Sequence, residues 1–178
     1  MSRTARAGRA LVAVLLVAAA VLALRASVVE VRHVEGASMA PSLRGGGLVL
    51  LDKLTPRLAG VDPGDVVVLR APGGEDVVKR VVAVGGQEVS ISEAVLHVDG
   101  RAVDEPQVDH EAMDGVLLGP LLVPEGSVYV LGDDRGASVD SRDFGPVDAG
   151  AVVGRVVWPR TGAWSVGPDA AAERADPT

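Results

Sequence analysis

The sequence predicts an all-β domain of antiparallel sheets carried on one N-terminal transmembrane helix. Three observations lead there. Apolar residues make up 48% of the 178-residue chain but aromatics only 2%, so the core must be built from Val, Leu and Ala, and β-branched side chains pack well on a pleated sheet. With 22 Gly and 11 Pro, the apolar runs are short and punctuated, as strands joined by tight turns are. The uninterrupted apolar run lies near the start, behind a basic segment.

Taken in order, residues 1–9 carry Arg3, Arg6 and Arg9, and residues 10–24 are entirely apolar up to Arg25. As a helix of about 1.5 Å per residue this run spans roughly 22 Å, short of a hydrocarbon layer of about 30 Å. Snorkelling of Arg9 and Arg25, with extension through residue 29, makes up the difference. The competing reading is a cleavable signal peptide, but Arg25 stands where a small-residue cleavage site is wanted. The expected anchor is therefore residues 10–29, with 1–9 cytoplasmic and a β domain over 30–166 outside. Residues 167–178, polar and Pro-containing, are expected to be disordered.

From Val28 onward the pattern is that of strands. Apolar runs at 48–51, 65–69, 77–84, 127–131 and 151–158 are bounded by Gly, Pro or Asp, and alternating runs occupy 88–91 and 95–98. Asp99-Gly100 follows as a hairpin-turn signal. No apolar stripe of helical period follows the anchor.

The net charge of −7 argues against nucleic acid as partner, since phosphate binding needs a basic surface. The absence of cysteine excludes disulfides, thiolate zinc sites and cysteine nucleophiles. His33, His97 and His110 show no metal-ligand spacing, and each reads as a surface or packing residue rather than a triad base. No metal or cofactor is called for.

Lys53 and Lys79 are the chain's two lysines; every other basic side chain is Arg, apart from histidine. Arginine cannot lose its proton in a protein, whereas a buried lysine can, so either is a candidate base, with Lys53 on what reads as a solvated turn. Lys79 sits inside an apolar strand. On a buried face its amine would lose charge and could take a proton from a hydroxyl; the bland alternative is a strand lysine reaching solvent. Ser38, in Gly36-Ala37-Ser38-Met39-Ala40-Pro41, is either a nucleophile on a rigid turn or an ordinary turn serine. Residues 132–147 pack glycine, alternating charge and two serines into one loop, folded through pairs such as Asp140 with Arg142. Its carboxylates do not follow the spacing of a calcium loop.

Together and in this order, Gly36-Ala37-Ser38-Met39-Ala40-Pro41-Ser42-Leu43, Lys79-Arg80-Val81-Val82-Ala83-Val84-Gly85-Gly86 and the loop from Gly132 to Val147 resemble the three sequence boxes of the type I signal peptidases. The resemblance implies a serine–lysine endopeptidase that removes signal peptides from exported preproteins at the outer face of the cell membrane, without cofactor. It implies Ser38 as nucleophile, Lys79 as general base and Ser138 as a hydroxyl orienting the amine. It further implies Met39 and Leu43 beside a shallow pocket for the small residue before the cut, and Asp140–Arg142 as a structural ion pair. Three positions depart from the family pattern. Gly36 lacks the side-chain hydroxyl that donates to the oxyanion in some members, and Asp134 and Ala137 stand where asparagine is common; neither of these last two is expected to touch Ser38 or Lys79. The rival reading from another class is an inactive anchored β domain serving as a binding or assembly module. A dyad used for self-cleavage is a third.

Overall fold

The computed structural model describes residues 12–17, 28–109, 117–162 and 164–166. It contains twelve strands among these residues: β1 (Val29–His33), β2 (Leu48–Asp52), β3 (Val66–Arg70), β4 (Asp76–Val84), β5 (Glu88–Ser92), β6 (Val95–Val98), β7 (Arg101–Asp104), β8 (Leu118–Leu122), β9 (Ser127–Leu131), β10 (Val147–Asp148), β11 (Val152–Trp158) and β12 (Ser165–Val166). Two short helices, α1 (Thr55–Ala59) and α2 (Ser141–Phe144), interrupt them. The expectation of antiparallel sheets holds. The seven-stranded sheet has the order β1-β2-β11-β3-β4-β9-β10 and the five-stranded sheet β12-β7-β6-β5-β8; each strand pairing is antiparallel.

Asp99 (φ 52) and Gly100 (φ 73) make the turn between β6 and β7, the left-handed pair that a two-residue hairpin needs. Most of the expected anchor lies outside the described residues. Within it, residues 12–17 are helical and exposed, and no helix among the described residues is long and apolar enough to cross a membrane. Val28 is helical and β1 starts at Val29, which pairs with Asp52. His110 and the tail 167–178 also lie outside the described residues.

Three apolar clusters make the core. One, with Val82, Ala83, Tyr129 and Leu131 of the large sheet against Val89, Ile91, Leu96 and Val98, joins the two sheets. A second, containing Val34, Met39, Leu43, Val49, Leu51, Val66 and Val68, underlies the turn that carries Ser38. The third packs Val67, Leu69, Val81, Val128 and Val130 on the remaining face.

Candidate active site

The large sheet supplies two strand edges. β1 ends the sheet and pairs with β2 alone. β4 pairs with β3 along its first half, Asp76 to Arg80, and with β9 from Arg80 onward, so among the described residues no strand flanks Asp76 to Lys79 on their second side. A groove of about 740 Å³ lies at these edges, with Val31 and Arg32 on one wall, Val77 and Val78 on the other, and Val49 and Val68 also lining it. Ser38 and Lys79 both line this groove.

Ser38 stands in a run of turns, half-buried, fixed by Ala40 N donating to Ala37 O (2.8 Å) and Leu43 N to Met39 O (2.8 Å). Gly36 has φ 78, a left-handed conformation that strains any side chain. Met39 and Leu43 are 1% and 3% exposed and fill the core cluster directly under the serine, where large apolar side chains gain from burial.

Lys79 is 3% exposed, and its Nζ donates to Ser138 Oγ at 2.9 Å. Burial pushes its amine below the usual lysine value, the Asp140 carboxylate pulls the other way, and the Arg142 guanidinium again lowers it. Strand alternation does not put its neighbour in solvent either. Arg80 is fully buried and forks onto Asp133 through Nε (2.8 Å) and Nη2 (2.7 Å), with Nη1 donating to Gly64 O and Thr161 O. Removing one partner of such a pair costs about 3–5 kcal/mol. Lys53 sits less freely than a solvated turn implies: its Nζ meets Glu30 Oε2 at 2.9 Å, and 22% of the side chain is exposed.

Loop 132–143 delivers Ser138. Asp140 caps α2 and forms a capping box with Asp143. Its carboxylate takes Arg142 Nε (2.8 Å) and Nη2 (2.9 Å) as well as Gly132 N (3.0 Å). Burial works against that carboxylate, but the hydrogen bonds from Arg142 and Gly132 outweigh it and hold the carboxyl below the usual range. Asp134 keeps the turn that asparagine would make, accepting from Ala137 N at 3.1 Å. One expectation needs correction: Asp134 does touch the nucleophile segment, because its backbone N–H donates to Ser38 O at 3.1 Å. The contact is made by the main chain, so the change from asparagine leaves it intact.

Sequence reasoning missed three supports. A Cβ on Gly132 would lie 2.2 Å from Ser138 Oγ and 2.5 Å from Ser38 O, so glycine alone allows these two segments to meet. The Arg80–Asp133 pair was legible as neighbours of Lys79 and Gly132, had the charges been matched across segments. Arg135 is held by buried Glu105 and donates to Gly132 O at 3.0 Å; Glu105 carried no signal at all. Among the described residues no group of three or more His, Asp or Glu is placed to hold a metal ion.

The family model of signal peptidase, peptidase S26, matches residues 7–161. A signal peptidase I of Bacillus caldolyticus is 37% identical over 141 residues, covering 71% of this chain and 78% of that relative. A signal peptidase IB of Staphylococcus aureus is 33% identical over 145 residues, covering 71% and 76%. A crystal structure of a signal peptidase I from Enterococcus faecalis V583 aligns at a TM-score of 0.48 and 28% identity, over 53% of this chain and 95% of that one. With the match running over most of its length, the chain belongs to the signal peptidase family, peptidase S26.

Proposed function

We propose that Ser38 and Lys79 are the dyad through which this serine endopeptidase removes signal peptides from exported preproteins. The observation that carries the reading is a buried lysine whose amine is pushed toward neutrality and which shares one groove with a serine on a rigid turn. Neutral Lys79 Nζ takes the proton of Ser38 Oγ as that oxygen adds to the scissile carbonyl carbon. The proton passes to the leaving amine as the C–N bond breaks. Water then gives its proton to Nζ while attacking the ester, and Oγ leaves protonated. Ser138 Oγ, accepting one N–H of Lys79, fixes the rotamer that points the lone pair at Ser38.

The free edge of β4 at Asp76 to Lys79 and the edge of β1 suit an extended substrate that adds as a strand, with main-chain hydrogen bonds giving affinity. Family members are membrane-associated, and we place this chain as a single-pass protein whose bilayer segment runs from residue 10 to residue 28, just before β1, with the groove outside. Exposed Val29, Val31, Leu48 and Trp158, on neighbouring strands joined through Leu50, support a catalytic domain resting against lipid. We assign Asp140 and Arg142 a structural role, and Met39 and Leu43 the support of the turn from below.

The test is cleavage of a preprotein with an Ala-x-Ala site by the full chain in detergent, against Ser38→Ala and Lys79→Ala. Loss of cleavage in both folded variants is expected. Turnover by either would remove that residue from the mechanism, and a folded but inert wild type would favour the rival binding-module reading.

A further inference from the structure

The end of the groove away from Ser38 is crossed by charge. β1 and β4 are separated in the sheet by β2, β11 and β3, which in a flat sheet would hold them about 19 Å apart, four spacings of roughly 4.8 Å. Yet Arg32 Nη1 of β1 donates to Asp76 Oδ2 of β4 at 2.5 Å. The sheet therefore curls into a trough, and this ion pair spans it from wall to wall. Each partner is doubly held: Asp76 also takes Arg70 Nε (3.1 Å) and Nη2 (3.0 Å), and Arg32 Nε donates to Glu30 at 2.5 Å. Glu30 in turn takes Lys53. Five alternating charges thus form a strap across a trough whose floor carries Val49, Val68 and Val78, with His33, Glu35 and Glu75 also among its lining residues.

We propose that the Arg32–Asp76 strap is a specificity element, selecting a polar over an apolar side chain at about the fourth substrate residue before the cut. The proposal rests on the reading that cleavage occurs at Ser38 and Lys79. Asp76 lies three residues before Lys79 on one strand, about 10 Å away at roughly 3.3 Å per residue. A substrate strand lying along this edge, with its scissile bond at Lys79, passes the strap three residues farther on. The direction follows from the chain's own course. β1 runs from Arg32 toward Ser38, and the sequence that feeds its start is the apolar run 10–24. The substrate's own apolar segment, upstream of the cut, comes from that same membrane side. An apolar side chain brought against the strap strips water from its charges without replacing the lost hydrogen bonds. A hydroxyl or amide can accept from Arg32 or donate to Asp76. The strap thereby demands a polar spacer between the apolar segment of a signal peptide and its cleavage site.

The experiment compares two peptide substrates with Ala at the first and third residues before the cut and either Ser or Leu at the fourth. The enzymes are the full chain in detergent, the Arg32→Leu/Asp76→Leu double variant, and Arg32→Gln as a milder change that keeps the site polar. Wild type should favour Ser over Leu by about tenfold in kcat/KM. The ratio should fall to near one in the double variant and take an intermediate value in Arg32→Gln. An equal ratio in wild type and Arg32→Gln, or no preference in wild type, overturns the strap. Cleavage by Ser38→Ala in the same assay would instead overturn the site itself, and the strap with it.

Discussion

Replacing Gly132 by alanine tests how tightly the loop and the nucleophile segment are locked together. The added methyl would sit 2.2 Å from Ser138 Oγ, 2.4 Å from Ser138 Cβ and 2.5 Å from Ser38 O. Restoring ordinary contact means moving one side by roughly 1 Å in a close-packed interior. Gly132 cannot retreat, because its N–H is bonded to Asp140 and its carbonyl to Arg135. The displacement therefore falls on Ser138 and the Ser38 segment, the two groups that flank the Lys79 amine. Overpacking of this kind costs about 2 kcal/mol, lowering Tm by about 4–8 °C in a domain of this size. A 1 Å misplacement at the reacting atoms costs about a hundredfold in rate. Steady-state cleavage of a preprotein, with melting followed by circular dichroism, should show kcat falling on that order while the variant stays folded. Gly119→Ala serves as control, since nothing lies within 4 Å of the atom it adds. A Gly132→Ala enzyme within threefold of wild-type kcat, with unchanged Tm, would refute the idea that this glycine sets the register between the two segments.

Tyr129 is the chain's sole tyrosine, its hydroxyl is buried without a hydrogen-bond partner among the described residues, and burial, aided by Asp140, pushes it up to about 12. Absorbance at 295 nm should show its ionisation near that value; a midpoint near the usual value of about 10 with intact far-ultraviolet circular dichroism would contradict the packing described. Lys79→Arg should abolish turnover across the whole pH range, since a guanidinium does not deprotonate; restoration of activity at alkaline pH would mean that charge, not proton transfer, is what position 79 contributes.

Much of the fold was legible because its central strands are Val-rich. The runs at 48–51, 77–84, 127–131 and 151–158 became β2, β4, β9 and β11 with ends shifted by a residue or so, since a strand buried on both faces needs a continuous apolar run. β7, β8, β10 and β12 were not among the expected runs. Arg101–Asp104 has one buried residue in four, Leu118–Leu122 includes Gly and Pro, and Ser165–Val166 is two exposed residues; their pairing partners, not their own sequence, make them strands. At the site, Ser38, Lys79, Ser138, Asp140 and Arg142 could be read from motifs because each motif is local. What lay beyond sequence was the contact between motifs. Gly132 against Ser38 O, Arg80 against Asp133, and Glu105 against Arg135 are separated along the chain and meet through the fold alone. For Met39 and Leu43 the motif gave proximity to the site, but not that both side chains are buried in the cluster beneath it.

The environment of Lys79 combines two demands that pull against each other. The loop that presents Ser138 to the amine also brings Asp140, whose charge favours protonated lysine, the form that the proposed mechanism cannot use as a base. Arg142 resolves the conflict. It covers both oxygens of Asp140 and donates to Ser138 O at 3.2 Å, so the carboxylate is neutralised within the loop and the guanidinium itself opposes charge on Lys79. Under the proposed mechanism Arg142 is a positioning residue that also tunes the base. Arg142→Gln leaves Asp140 partly hydrogen-bonded through Gly132 N while removing the positive charge. The Lys79 amine then holds its proton to higher pH, and the rising limb of kcat/KM against pH should move toward the alkaline side. At a pH above both limbs the rate should recover most of its wild-type value, which a merely disordered loop would not allow. A variant that loses activity equally at every pH, with the limb unmoved, would show that Arg142 acts through structure alone and that burial by itself sets the lysine.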